Sequence, residues 1–267
     1  MIKLIVSDMD GTLLDENGKV PEEFFDILEQ LNDKGIKFAV ASGRSYKMLY
    51  RNFSPMPDDI IYISDNGTYV VDKDEMIYKN VLNRDDVLRI TELCENIDNV
   101  QAILCGINVA YTKAYSEEFV REFEKYYVDN IVLDDFNNLN GDVLKIGIYD
   151  QKGSANNSYP LMNKTFGDKL KVVISGHNWT DVMNTEANKG EALSMIQKRF
   201  DISPDETMVF GDFYNDIEML KLAKYSFVME NANDDMKQYG NFIAKSNAEH
   251  GVIRAIKEYV LGELNRI

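Results

Sequence analysis

The chain has 267 residues, 45% hydrophobic and 28% charged, an ordinary globular composition that leaves room for one large core or for a domain carrying a second one. A net charge of −16 argues against a nucleic-acid partner, which needs clustered Lys and Arg, and an anionic ligand would have to be held by a local positive group. The amino terminus lacks a basic-then-apolar signal pattern, no stretch is apolar enough to span a bilayer, and Cys94 and Cys105 share no CxxC spacing, so a cytoplasmic protein with reduced thiols and no membrane partner is expected.

The first apolar, β-branched run, Ile2 to Val6, reads as a buried strand and leads into Asp8-Met9-Asp10-Gly11-Thr12. Strand period is two, so Asp8 and Asp10 project to the same side where the strand ends. Two converging carboxylates there need a cation or a shared proton, unless the segment is only a solvated acidic turn. Gly11 lets the chain turn, and Thr12 offers a hydroxyl to whatever anion the cation attracts. His177 and His250 stand far apart with no HExxH context, so the available metal donors are oxygens, which suit Mg²⁺ rather than zinc.

A helix is predicted over Pro21 to Asn32, with Phe24, Phe25, Ile27, Leu28 and Leu31 on its apolar face and Gly35 closing it. The strand Ile36 to Ala41 ends in Ser42-Gly43-Arg44. A helix over Ser45 to Phe53 precedes a third strand, Ile60 to Ile63, ending in Ser64-Asp65-Asn66-Gly67. This alternation indicates a doubly wound, Rossmann-like α/β parallel sheet, whose functional residues gather at the carboxyl ends of the strands. Tyr69 to Tyr78 reads as a hairpin around Asp72-Lys73-Asp74.

From about Asn83 the pattern changes. Predicted are a helix over Arg84 to Glu95, a strand over Val100 to Tyr111, a helix over Ser116 to Tyr127 and an Asn/Asp-rich loop over Asp134 to Asp142. Then follow a strand over Val143 to Tyr149, a helix over Pro160 to Phe166, and strands over Lys171 to Ser175 and Trp179 to Met183. None of these strands ends in an acidic or Gly-Ser motif. Tyr111, Tyr115 and Trp179 could stack on a ligand or serve packing. The helix Glu186 to Phe200 opens on Asn188-Lys189-Gly190. The strand Thr207 to Phe210 delivers Gly211-Asp212, a helix starts at Asn215, and Val252 to Leu264 is a final amphipathic helix.

Asp8-x-Asp10-Gly-Thr after a first strand, then Ala41-Ser42-Gly43-Arg44, Asn188-Lys189-Gly190 and Gly211-Asp212-Phe-Tyr-Asn215-Asp216, in that order, resemble the four motifs of the haloacid dehalogenase superfamily. The details are similar to its Cof-type branch of sugar-phosphate phosphatases, over nearly the whole chain. The resemblance implies a core of residues 1–82 and 187–267 with an inserted α/β cap at 83–186 that selects the substrate. It implies an Mg²⁺-dependent phosphatase of small phosphorylated metabolites, sugar phosphates foremost. A phosphomutase of the same fold and a non-catalytic sugar-phosphate-binding regulator are the alternatives, and a monomer is expected.

By resemblance Asp8 is the nucleophile and Asp10 the general acid and base, the latter favouring phosphatase over dehalogenase because a leaving alcohol needs a proton. Thr12, Ser42, Gly43, Lys189 and Asn215 bind phosphate or substrate. Asp8, the Asp10 carbonyl and Asp212 hold the metal, with Asp216 and Asn66 in support. Lys189 also stands out locally, since a cation in a helix's first turn opposes the macrodipole. Arg44 is expected in a structural ion pair. Asn247 and Asn66-Gly67 resemble pocket-lining positions, and Glu230-Asn231-Ala232 resembles a structural loop of the branch.

Overall fold

A computed structural model describes residues 1–113, 117–123 and 129–263, and the chain divides into two compact units. Unit 1 comprises Met1–Arg44, Leu49–Tyr78 and Asn188–Ile267; unit 2 comprises Ser45–Met48 and Lys79–Ala187.

Unit 1 is built on a sheet whose parallel strands are β1 (Leu4–Asp8), β2 (Lys37–Ala41), β3 (Ile60–Ser64), β12 (Thr207–Gly211), β13 (Tyr225–Met229) and β14 (Phe242–Ala244). Their order is β14-β13-β12-β1-β2-β3, extended by β4 (Tyr69–Asp72), antiparallel to β3, and then β5 (Glu75–Lys79). β1 lies between β12 and β2, with Val6 in register with Val209 and Ala39. Every residue of β1 is buried, as a central strand covered on both faces requires. Among the covering helices are α1 (Glu23–Asp33), which buries Phe24, Ile27, Leu28 and Leu31, and α6 (Lys189–Phe200), which buries Ala192, Leu193 and Ile196. The order runs outward from β1 in both directions, so the carboxyl ends of β1 and β12 emerge side by side at the switch point of the sheet.

Unit 2 has its own sheet, ordered β10-β11-β9-β6-β7-β8. The strands are β6 (Val100–Cys105), β7 (Ala110–Thr112), β8 (Asn130–Val132), β9 (Lys145–Asp150), β10 (Leu170–Gly176) and β11 (Trp179–Asn184). Helices α3 (Arg84–Glu95) and α5 (Ser158–Phe166) bury Val87, Ile90, Met162 and Phe166 in one cluster with Ala102, Leu104, Ile146, Ile148 and Val182.

The structure corrects several of the expected elements. The strand expected over Val100 to Tyr111 is two strands, because the chain reverses after Cys105 and the Gly106 amide donates to the Val109 carbonyl at 2.9 Å. β8 has no counterpart in the sequence reading; its three residues are exposed and it pairs in parallel with β7. The helix expected to start at Asn215 begins with a 3₁₀ turn at Tyr214–Asp216 before a short α7 (Ile217–Leu220). The last helix leaves α geometry after α8 (Gly251–Ile256) and ends at Gly262, φ +72°. Tyr111 is buried and its hydroxyl donates to the Asn140 carbonyl, while Trp179 packs on Tyr149 with ring centroids 5.1 Å apart. Tyr115 lies outside the described residues.

Candidate active site

At the end of β1 the backbone leaves the extended conformation and winds through Met9–Leu13, with Asp10 extended and Gly11 at φ +79°. Gly11 is required twice over. Its φ is costly for an L side chain, and a Cβ there would stand 2.3 Å from Asp212 Oδ2. Asp212 follows β12 directly, so the two strand ends bring Asp8 and Asp212 together without help from a long loop.

Lys189 enters from the first turn of α6. Asn188 caps that helix, its side chain accepting from the Glu191 amide at 2.8 Å. The Lys189 ammonium is fully buried and donates to Asp8 Oδ1 at 2.5 Å and to Asp216 Oδ1 at 2.6 Å. The other Asp216 oxygen accepts the main-chain amides of Asp212 and Phe213, each at 3.0 Å. Asp216 therefore fixes both the lysine and the turn that carries Asp212. Gly211 leaves room for this, since a Cβ there would fall 2.5 Å from that of Asp216.

Carboxylate oxygens of Asp8, Asp212 and Asp216 lie within 4.8 Å of one another. Three carboxyl groups share the one ammonium of Lys189, so full ionisation would leave two negative charges in a largely buried space. The electrostatic consequences are large. Burial pushes the Asp8 carboxyl well above its usual range; Lys189 opposes the shift, and Asp216 and Asp212 add to it. Burial, reinforced by Asp216, pushes Asp212 up to about 6 against the hydrogen bond from Thr12. Burial alone would lower the Lys189 pKa, but Asp216 and Asp8 more than reverse it and keep the ammonium charged.

Asp10 is placed differently. Its side chain is 59% exposed, and both its oxygens meet the Arg44 guanidinium, Nη2 to Oδ1 at 2.5 Å and Nε to Oδ2 at 3.1 Å. Ser42 is buried at the end of β2 and its hydroxyl accepts the Arg44 amide at 3.2 Å. Asn66, at φ +58°, lies beside Gly43 and accepts from Asn215 Nδ2 at 3.1 Å. The structure thus gathers Asp8, Lys189, Asp212 and Asp216 in one cluster and joins Asp10 to the Ser42-Gly43-Arg44 turn. Thr12, read as offering its hydroxyl to an anion, donates it to Asp212 Oδ1 at 3.0 Å and orients that carboxylate.

Some of this was missed by sequence reasoning. Asn231 donates to the Gly11 carbonyl at 2.8 Å and accepts the Asn247 amide at 3.1 Å; Asn247 Nδ2 in turn donates to the Leu14 carbonyl at 2.9 Å. Two distant loops therefore brace the Met9–Leu13 turn. Asn247, which resembles a pocket-lining position, is engaged in that brace. No local pattern near residue 10 announces partners more than 200 residues away.

The model of the haloacid dehalogenase-like hydrolase family matches residues 5–256. The chain is similar to a 5-amino-6-(5-phospho-D-ribitylamino)uracil phosphatase of Escherichia coli, 33% identical over 264 residues, covering 98% of this chain and 97% of the relative. It resembles a solved structure from Eubacterium rectale with a TM-score of 0.89 at 26% identity, covering 97% and 99% of the two chains. A Streptococcus mutans structure superposes with a TM-score of 0.83 at 31% identity, over 98% and 100%.

Proposed function

The chain belongs to the haloacid dehalogenase-like hydrolase family and is a phosphatase of it, and from that premise we propose that it hydrolyses small phosphate monoesters through a phosphorylated Asp8 with the help of Mg²⁺. The observation that carries this reading is the buried, under-neutralised cluster. A nucleophilic carboxylate sits against one lysine and two further carboxylates, an arrangement that asks for both a cation and an anionic ligand.

The donor set fits a hard divalent cation, since every candidate ligand is oxygen and the three carboxyl groups outnumber the one ammonium. Asp8, Asp212 and the Asp10 carbonyl would hold it. When bound, Mg²⁺ would act as a Lewis acid that neutralises charge on a phosphoryl group.

The protein's own groups then divide the work. Asp8 attacks phosphorus in line, and the bond to the leaving alcohol oxygen breaks as that oxygen takes a proton from Asp10. Lys189 balances charge on Asp8 and the incoming phosphoryl group, while Ser42 and the Gly43 amide hold equatorial phosphoryl oxygens. Asn215 and Asn66 hold the substrate at the rim, and Thr12 and Asp216 keep Asp212 and Lys189 in place. In the second half, water attacks phosphorus, Asp10 takes its proton, and Asp8 leaves as carboxylate with inorganic phosphate. Residues 83–186, within unit 2, would select the substrate. Sugar phosphates are the class, and the phosphoribitylamino-uracil named for the Escherichia coli relative is the first compound to try.

The test is phosphate release from sugar phosphates, phosphoribitylamino-uracil and p-nitrophenyl phosphate, with Mg²⁺ or with chelator, for the wild type and Asp8→Asn. Mg²⁺-dependent release that vanishes in the variant is expected. Release that persists in folded Asp8→Asn, or that ignores the chelator, overturns the nucleophile or the metal respectively.

A further inference from the structure

Asp10 and Arg44 form an ion pair that joins the proposed acid–base residue to the turn proposed to hold the phosphoryl group. An exposed pair is ordinarily worth little to stability, so its geometry is the informative feature. Both Asp10 oxygens are engaged by two different guanidinium nitrogens, Nε and Nη2, which fixes the plane of the carboxylate as well as its position. Arg44 is itself anchored. Its amide donates to Ser42 Oγ, its carbonyl accepts the Asp65 amide at 2.9 Å, and its side chain is only 30% exposed. Asp10, by contrast, sits in the extended link between Met9 and Gly11, with its side chain 59% exposed. The more buried guanidinium, held on its own anchored turn, therefore orients the more exposed carboxylate.

We propose that Arg44 is a positioning residue for the second half of the reaction, holding the Asp10 carboxylate as the base that takes a proton from the attacking water. The assignment rests on the phosphatase reading above. It follows from the protonation state each half needs. In the first half Asp10 must carry a proton and hand it to the leaving oxygen, a state in which a guanidinium fork has lost one of its acceptors. Once that proton has gone, Asp10 is a carboxylate with both oxygens available, the state the fork grips. Water oxygen then bonds to phosphorus, the bond from phosphorus to the Asp8 oxygen breaks with its electron pair returning to Asp8, and the water proton moves to Asp10. No further reactant is needed. Loss of the grip leaves the base less well aimed, and misaimed catalytic groups lose rate steeply.

p-Nitrophenyl phosphate isolates this half, because nitrophenolate leaves without a proton and the first half then makes little demand on Asp10. Arg44→Ala should release about one equivalent of nitrophenolate per site in a rapid burst, followed by a steady rate roughly tenfold or more below the wild type, within the range that acid–base groups supply. Intact-mass measurement after acid quench should show a larger phosphorylated fraction than in the wild type. Arg44→Lys, which keeps the charge but not the fork, should fall between the two. Arg44→Gln supplies the same measurement if the alanine variant fails to fold. Adding Asp10→Asn to Arg44→Ala should slow dephosphorylation no further than Asp10→Asn alone.

The proposal is overturned if burst and steady rates fall together with no rise in phosphoenzyme, if neither changes, or if the two substitutions prove additive. A wild type that releases no nitrophenolate at any metal concentration would instead sink the phosphatase reading itself.

Discussion

The two units handle buried charge in opposite ways. In unit 1 the strands flanking β1 run parallel, so their carboxyl ends open on one edge, and Asp8, Ser42 and Asp212 emerge there as the strands finish. In unit 2, β9 runs antiparallel to both β6 and β11, so successive strand ends face opposite edges and no such gathering occurs among the described residues. One of its buried ion pairs stands within the sheet: Lys145 on β9 meets Asp181 on β11 at 3.2 Å, with side chains 7% and 8% exposed. Each unit thus buries a lysine against aspartate. Lys189 is left among an excess of carboxylates at a strand edge, which is the arrangement of a site. Lys145 joins two strands of a sheet, which is the arrangement of a structural pair.

Replacing each lysine by methionine separates the two roles. Lys189→Met removes the cation between Asp8 and Asp216 and should lower turnover at least about a hundred-fold, as loss of a preorganised charge partner does. Stability should fall as well, because the same carboxylates stay buried without compensation. The paired measurements are steady-state phosphate release and thermal unfolding with and without Mg²⁺. A folded Lys189→Met that turns over normally would put Lys189 in the same class as Lys145 and dissolve the contrast.

Lys145→Met should act on stability first. It strands Asp181 in a buried setting, at a cost of about 3–5 kcal/mol by denaturant unfolding. Changing Asp181 to leucine as well should recover most of the loss, since apolar replacement of a whole buried pair is often neutral or stabilising. Hydrolysis of p-nitrophenyl phosphate per folded molecule should change far less than in Lys189→Met. If the single and double variants are equally destabilised, the pair is not the source of the effect. If turnover collapses while the fold holds, unit 2 contributes to the chemistry and not only to substrate choice.

The same topological difference decides what could be read from the sequence. In unit 1 the strands β1, β2, β3 and β12 are short apolar runs that stop at a polar signature, so the strands and the residues at their ends, Asp8, Ser42, Asn66 and Asp212, were legible together. Lys189 was legible as a cation in a helix's first turn. What linked them was not. Thr12 to Asp212, Arg44 to both Asp10 oxygens, and Asn231 to the Gly11 carbonyl join residues between 34 and 220 positions apart. Each depends on strand order, which no single segment encodes. In unit 2 the strands were mostly legible, but the reversal at Gly106 and the exposed β8 were not, since neither breaks the local β pattern. Lys145 and Asp181 look like ordinary strand positions until β9 and β11 are known to be neighbours.

The smallest effect concerns protons and metal at Asp212. Its carboxyl is pushed up to about 6 from the ordinary 3.8, so between those values the folded, metal-free protein binds more protons there than the unfolded chain does. A raised folded-state pKa means that this contribution to stability is present below the ordinary value and lost as pH rises through about 6. Asp8, raised in the same direction, adds to the trend. The proposed divalent cation would compete with the protons and take over the compensation above that point. The rise in unfolding temperature produced by Mg²⁺ should therefore be slight near pH 5, grow through about pH 6, and level off above it. Asp212→Asn, which removes the titrating carboxyl, should flatten most of that slope while leaving the protein folded. Lys145→Met should leave the slope as it is, because its charge does not belong to the cluster. A slope that survives in Asp212→Asn, or disappears in Lys145→Met, would show that the under-neutralised charge of unit 1 has been assigned to the wrong groups.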